Sequence, residues 1–201
     1  MQILIASSNP HKINELKKIT SGLAQAVTLA EANISDECVE VGDTLLEIAQ
    51  RKAAYFSNRF AGLVVATDAG AEIPALGNNW DPKYTKRFAG EVSDFERMDR
   101  LLELAKDLKG EDRGLVWREC VAIAQRGEVL FSLEVEGDRG LLQTSYDSAK
   151  YRPGIWLCSL WFYPQFGKNF FDLTPEQIAQ HGERSWVRIR SKVRAFLASV
   201  V

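Results

Sequence analysis

The chain has 201 residues, 46% of them hydrophobic, enough to bury one sizeable core, and it contains no linker that calls for a second domain. A formal net charge of −2 excludes a nucleic-acid polymer as the main partner, yet it leaves room for a small polyphosphate held by local lysines. Cys38, Cys120 and Cys158 are odd in number and widely spaced, which excludes a disulfide framework and fits a reducing cytoplasm. The first apolar run lacks a basic flank and stops within a few residues, unlike a signal peptide, and no stretch is long enough to span a bilayer.

In chain order, Ile3 to Ala6 form a short apolar run that breaks into Ser7, Ser8, Asn9 and Pro10, a buried strand feeding a polar loop. Ile13, Leu16 and Ile19 then recur at helical intervals, predicting a helix over 12–19. Strand, polar loop and helix together make the place where α/β proteins bind anions, because N–H groups at the helix start point outward and a nearby lysine adds charge. "QAVTLAEA" reads as a second short strand, and "ISDECVEVGD" as an acidic loop. In "TLLEIAQRKAAYFSNRF", Leu45, Leu46, Ile48, Ala49, Ala53 and Phe56 make a broad apolar face on a helix that Asp43 or Thr44 can cap. Leu63 to Ala66 is apolar throughout, as suits a central strand covered on both sides, and Thr67, Asp68, Ala69 and Gly70 are expected to end it.

"DFERMDRLLELAKDL" is a strongly amphipathic helix. Two strands around "QRGE" predict an antiparallel hairpin, so the sheet is expected to be mixed. "YRPGIWLCSLWFYPQFGKNFFDL" is aromatic-rich and reads as irregular, with Trp156, Trp161, Phe162 and Tyr163 suited to packing or to stacking on a base. "TPEQIAQ" begins a helix with Pro175 in its first turn, and 184–201 is a basic amphipathic helix, read as a solvated cationic face.

Chemistry-bearing residues accumulate along this order: Ser7, Asn9 and Lys12 after one strand, Glu40 in the acidic loop, Glu47 and Lys52 on the next helix, Asp68 after another strand. Carboxylates able to hold Mg²⁺, lysines that neutralise phosphate oxygens and a carboxylate able to take a proton from water are the parts that phosphate-anhydride hydrolysis needs. Asp68 is the most telling, because an acid directly after four buried apolar residues must be hydrogen-bonded, paired or metal-bound. An Asx turn in "DAG" is its structural alternative.

Taken together, "SSNPHK", "EVGDTLLEIAQRKA", "VVATDAGAEIPALG" and "YTKRFAGE" resemble, in order, the inosine and xanthosine triphosphate pyrophosphatase family. The family's Thr/Ser-x-Asn-x-x-Lys is matched by Ser7, Asn9 and Lys12, and its acidic loop and following helix by Glu40, Gly42, Thr44, Glu47, Ala49, Lys52 and Ala53. Its Asp-Asp-Ser-Gly falls on Thr67, Asp68, Ala69 and Gly70, so the second Asp survives and the first does not. Arg87, Ala89, Gly90 and Glu91 fit its Arg-Tyr-Ala-Gly-Glu.

The resemblance implies an α/β fold, a long mixed β-sheet flanked by helices in two lobes around a central nucleotide cleft, with 1–201 as a single domain. It implies an Mg²⁺-dependent hydrolase that cuts a noncanonical purine nucleoside triphosphate to monophosphate and pyrophosphate, a cytoplasmic homodimer with no nucleic-acid polymer and no membrane as partner. Carried onto this sequence, Asp68 activates water, with Lys12 and Lys52 beside it. Ser7, Ser8, Asn9, Lys12, Lys52, Ala69, Lys168 and Arg184 contact the substrate, and Glu40 and Asp68 hold the metal. Whether Glu37, Glu40 or Glu47 is the main ligand stays open.

The second half departs from the pattern. The aromatic loop's Tyr-Asp-Pro falls on Leu157, Cys158 and Ser159, and the later Ser-His-Arg falls on Gly182, Glu183 and Arg184. Because these positions read the purine in the family, an altered base preference is expected. A pyrophosphatase for another modified nucleotide, or a relative that binds nucleotide or dimerises without catalysis, are the alternatives.

Overall fold

A computed structural model describes residues 1–181 and 184–200, and the side chains of all of these except 179–181 and 184. Among the described residues seven strands form one mixed sheet in the order β2-β1-β3-β4-β5-β6-β7, flanked by helices. The chain divides into two compact units, the first made of Met1–Ala69, Glu119–Val135 and Ser185–Val201, the second of Gly70–Arg118 and Glu136–Arg184. Among the described residues no helix is long and apolar enough to cross a membrane.

In the first unit, β1 (Gln2–Ala6) lies between β2 (Gln25–Thr28) and β3 (Leu63–Glu72), parallel to both. The strands are apolar on both faces because both faces are covered. Ile3, Ile5, Leu63, Val65, Val121 and Ile123 meet Leu16 and Ile19 of α1 (Pro10–Thr20) and Trp186, Ile189, Val193 and Leu197 of α5 (Arg184–Val200). The alternate residues Leu4, Ala6, Val64, Ala66, Cys120, Ala122 and Ala124 meet Leu45, Ala49, Ala53 and Phe56 of α2 (Leu45–Ser57). Strands β4 (Gly114–Gln125) and β5 (Glu128–Leu142) are joined by Arg126 and Gly127, with φ of 53° and 82°, the two positive values that a tight type I′ hairpin requires.

The second unit has its own core, in which Met98 and Leu101 of α3 (Asp94–Leu104) pack with Trp80, Leu115, Leu142, Trp156, Leu157, Leu160, Trp161 and Tyr163. Two buried arginines tie its loops together. The Arg113 guanidinium donates to the carbonyls of Leu142, Ala105, Leu108 and Gln143, and Arg97 donates to those of Phe88 and Gly90. The latter pair holds the turn of "RFAGE", where Ala89 sits at a φ of 64°.

Three expectations need correction. Strand β3 does not end at Ala66 but runs on to Glu72, so Asp68 lies within a strand and not in an Asx turn. Its continuation is secured from outside: the Thr85 hydroxyl accepts from the Ala71 N–H at 2.9 Å, and the Pro82 carbonyl lies so close over Gly70 that any Cβ there would be 2.0 Å from it. The aromatic stretch is not wholly irregular, since it holds β6 (Trp161–Tyr163) and β7 (Lys168–Asn169), which pair antiparallel to each other, β6 also pairing with β5. Trp156, Trp161 and Tyr163 are buried within the core. The basic C-terminal helix is not merely solvated: Arg194 donates to the carbonyls of Ile19 and Ser21 at 2.8 Å, closing the end of α1, and Arg190 lies 3.3 Å from the buried Glu15.

Candidate functional site

Ala6, the last residue of β1, is in register with Ala66 of parallel β3. The polar loop therefore begins where β3 carries on into Thr67 and Asp68, at the carboxyl end of β1, the edge where open α/β sheets bind ligands. In the loop, the Asn9 N–H donates to the Ser7 hydroxyl at 3.2 Å. The Asn9 side-chain oxygen accepts from the N–H groups of His11 at 2.9 Å and Lys12 at 3.3 Å, starting α1 with Pro10 at its first turn. That leaves the Asn9 amide group as a donor. Ser8 is exposed. In the first turn of the helix, Lys12 reaches the sheet, its Nζ 3.5 Å from the buried Glu119 of β4.

The other side of the sheet supplies Lys52, on α2. Its ammonium donates to Glu40 at 2.6 Å and lies 3.5 Å from the Thr67 carbonyl. Asp68 stands among these groups. Burial pushes its carboxyl above the ordinary aspartate range; Lys12 and then Lys52 pull it back, and Glu40 pushes it up again. A carboxylate disfavoured by desolvation binds a proton more readily than an exposed aspartate, a useful property in a general base.

The structure thus brings Ser7, Asn9, Lys12, Glu40, Lys52 and Asp68 to one region of the first unit. Glu47 instead closes the start of α2, where its carboxylate accepts from the Asp43 N–H at 2.7 Å while its own N–H donates to Thr44 at 3.1 Å, a reciprocal cap. Glu37 is exposed. Ala69 follows Asp68 in β3 and can offer only its backbone to a ligand. Lys168 belongs to β7 of the second unit, where its ammonium lies 3.3 Å from the side-chain oxygen of Gln177 in α4 (Pro175–His181). Gly182, Glu183 and the Arg184 side chain lie outside the described residues.

The substituted aromatic loop is also in the second unit. Leu157 and Ser159 are buried, and burial together with the charge of Asp138 pushes the Cys158 thiol up to about 12, so it stays neutral near pH 7. Cys120, in the first unit, is likewise kept neutral, by burial and by Glu134, to which its thiol donates at 3.6 Å. Neither is a poised nucleophile.

Reading the sequence missed Glu119. The signal was present in the form that drew attention to Asp68: a carboxylate directly beside an unbroken buried run, here Cys120 to Ala124. Chemically, two ammonium groups among three carboxylates, next to a helix start, can hold a polyanion and accept a proton.

The model of the Ham1 family matches residues 3–185 of the chain. A dITP/XTP pyrophosphatase of Thermus thermophilus is 32% identical over 193 residues, 92% of this chain and 86% of that protein. A dITP/XTP pyrophosphatase of a Thermoanaerobacter species is 29% identical over 180 residues, 88% of this chain and 87% of that one. Among solved structures, the Ham1 protein of Staphylococcus aureus shares the fold with a TM-score of 0.80 at 24% identity, covering 100% of both chains. Carrying the motifs in order and matched by the family model over nearly its whole length, the chain belongs to the Ham1 family.

Proposed function

We propose that the chain hydrolyses a noncanonical purine nucleoside triphosphate to the nucleoside monophosphate and pyrophosphate, with 1–201 serving as one domain of that activity, as a cytoplasmic homodimer. The observation that carries this reading is the meeting of Lys12 and Lys52 about the desolvated Asp68 at the carboxyl end of β1. The names of the Thermus and Thermoanaerobacter relatives support it.

In this reading Ser7, Ser8, Asn9, Lys12 and Lys52 hold the triphosphate, with Ala69, Lys168 and Arg184 as further contacts. Asp68 takes a proton from water as the water oxygen attacks the α-phosphorus. The bond from that phosphorus to the bridging oxygen breaks, and the pyrophosphate leaves with its growing charge facing the two ammonium groups. Mg²⁺ is usually held by one or two carboxylates plus substrate phosphates. The donor set fits that habit: Glu40, 2.6 Å from the Lys52 ammonium, and Asp68, which feels the charges of both Lys52 and Glu40, are the two carboxylates that would hold it. When bound, the metal would neutralise phosphate charge.

The base preference is relaxed in this reading, because Leu157, Cys158 and Ser159 offer no ionised group to a purine. Incubation of the purified protein and Mg²⁺ with a panel of triphosphates, inosine, xanthosine and their deoxy forms beside the standard eight, tests the proposal through the pyrophosphate and monophosphate released. Release from the inosine or xanthosine compounds is the expected result, and a different preferred base would place the change at the substituted loop. No release from any of them, by a folded protein that still binds nucleotide, would sink the enzymatic reading.

A further inference from the structure

One buried charge beside the site has no part in the reading above. Glu119 is 3% exposed, and its Oε1 lies 3.5 Å from the Nζ of Lys12, itself only 16% exposed. Side chains alternate across the sheet. Val121 and Ile123 face α1, so Glu119 faces the same way, as does Thr67 on the neighbouring strand, where Leu63 and Val65 face α1. The Thr67 hydroxyl is buried without a hydrogen-bond partner. Asp68 follows Leu4, Ala6, Val64 and Ala66 toward the α2 face. The two carboxylates thus approach from opposite faces, with Lys12 facing Glu119 and also acting as the strongest charged neighbour of Asp68.

A carboxylate this deep in a sheet is tolerated when it is paired. A lysine stem with four rotatable bonds is otherwise a poor positioning device, because its ammonium must be ordered each time a ligand arrives. Glu119 supplies both conditions at once. We infer that Glu119 is a positioning residue: its buried carboxylate holds the Lys12 ammonium in place before a phosphate arrives. The inference rests on the reading of Lys12 as a phosphate contact in the proposed hydrolysis. Because Glu119 also adds negative charge near the site, its removal has a split signature. The ground state gains affinity for a polyanion while the transition state loses an oriented cation.

The test compares wild type with Glu119→Gln, which keeps the shape and removes the charge, and Glu119→Asp, which keeps the charge and shortens the reach. Two readouts are used: kcat and KM on the panel substrate cleaved best, and mass-spectrometric measurement of acylation at Lys12 by a small amine-reactive ester, with exposed lysines as internal reference. For Glu119→Gln, kcat is expected to fall about tenfold with KM unchanged or lower, and Lys12 is expected to label several-fold faster than in wild type; Glu119→Asp recovers part of both. Unchanged labelling overturns the inference, as does faster labelling with unchanged kcat, or a raised KM at unchanged kcat. Should Glu119→Gln not fold, Glu119→Asp is judged against wild type by the same criteria at smaller amplitude. Should wild type cleave nothing, the proposed function fails, and the labelling of Lys12 alone decides whether Glu119 anchors it.

Discussion

In the second unit Arg113 is 7% exposed and its guanidinium donates to four backbone carbonyls, whereas in the first unit Lys12 and Lys52 meet the carboxylates of Glu119 and Glu40 and keep 16% and 14% of their side-chain surface in solvent. A guanidinium that gives four of its five N–H donors to carbonyls has little left for a ligand, and its energy goes into fixing the loops that carry those carbonyls. An ammonium paired with a half-exposed carboxylate such as Glu40 can exchange that partner for a phosphate oxygen. Burial of a cation is therefore common to both regions, and the chemical type of the partner separates a structural tie from a binding group.

The sharpest way to break this contrast is Asp68→Asn. It removes the base while keeping the shape, and turnover should fall by about 10²–10⁴-fold, with Mg²⁺-nucleotide affinity falling far less in a calorimetric titration because Glu40, the lysines and the substrate phosphates remain; undiminished turnover would remove Asp68 from its role. Next in size, Arg113→Met leaves four carbonyls without their donor and should cost about 3 kcal/mol in denaturant unfolding. A Lys52 substitution is expected to affect affinity far more than stability, whereas a Lys12 substitution should lower both, because it takes the ammonium away from the buried Glu119. Within the first unit, Arg194→Gln uncovers the carbonyls of Ile19 and Ser21 at the end of α1, an expected loss of about 1 kcal/mol.

The smallest effect concerns pH. Burial raises the Asp68 carboxyl above its ordinary value of 3.8, so the native state binds the proton more tightly than the unfolded chain. Stability from this group is therefore full below 3.8 and is lost as pH rises through the raised value. The side-chain amide that Asp68→Asn introduces does not titrate. The variant should melt slightly above wild type at pH 7, and the gap should close as the pH is lowered toward 3.8. A gap that widened on acidification would reverse the assigned direction.

Much of the first unit was legible because its signals are local. The run Ile3 to Ala6, the cap at Asn9, the helix face of Leu45 to Phe56 and the turn at Arg126 and Gly127 each need only neighbouring residues to be recognised. Strand β3 was read too short because Thr67, Asp68 and Ala69 interrupt its apolar pattern, while the groups that extend it, the Thr85 hydroxyl and the Pro82 carbonyl, come from a distant segment. Strands β6 and β7 have three and two residues, too few for periodicity to register. Within the site, Asp68, Lys12 and Lys52 stood out by residue type and motif order. The pairing of Lys12 with Glu119 joins segments that only the completed sheet makes neighbours.

The closure of α1 by Arg194 bears on how the molecule comes into being. The first unit is assembled from three separated stretches of chain, and the arginine that completes the end of the helix carrying Lys12 is made 175 residues after the Ile19 carbonyl it meets. Local contacts form quickly and distant ones slowly. The second unit needs only residues up to 184 and can gather its core while α5 is still being made. The first unit is therefore completed after the second, so a translation intermediate that lacks α5 would expose Ile3, Ile5, Leu63 and Val65 on the face that α5 helps to cover.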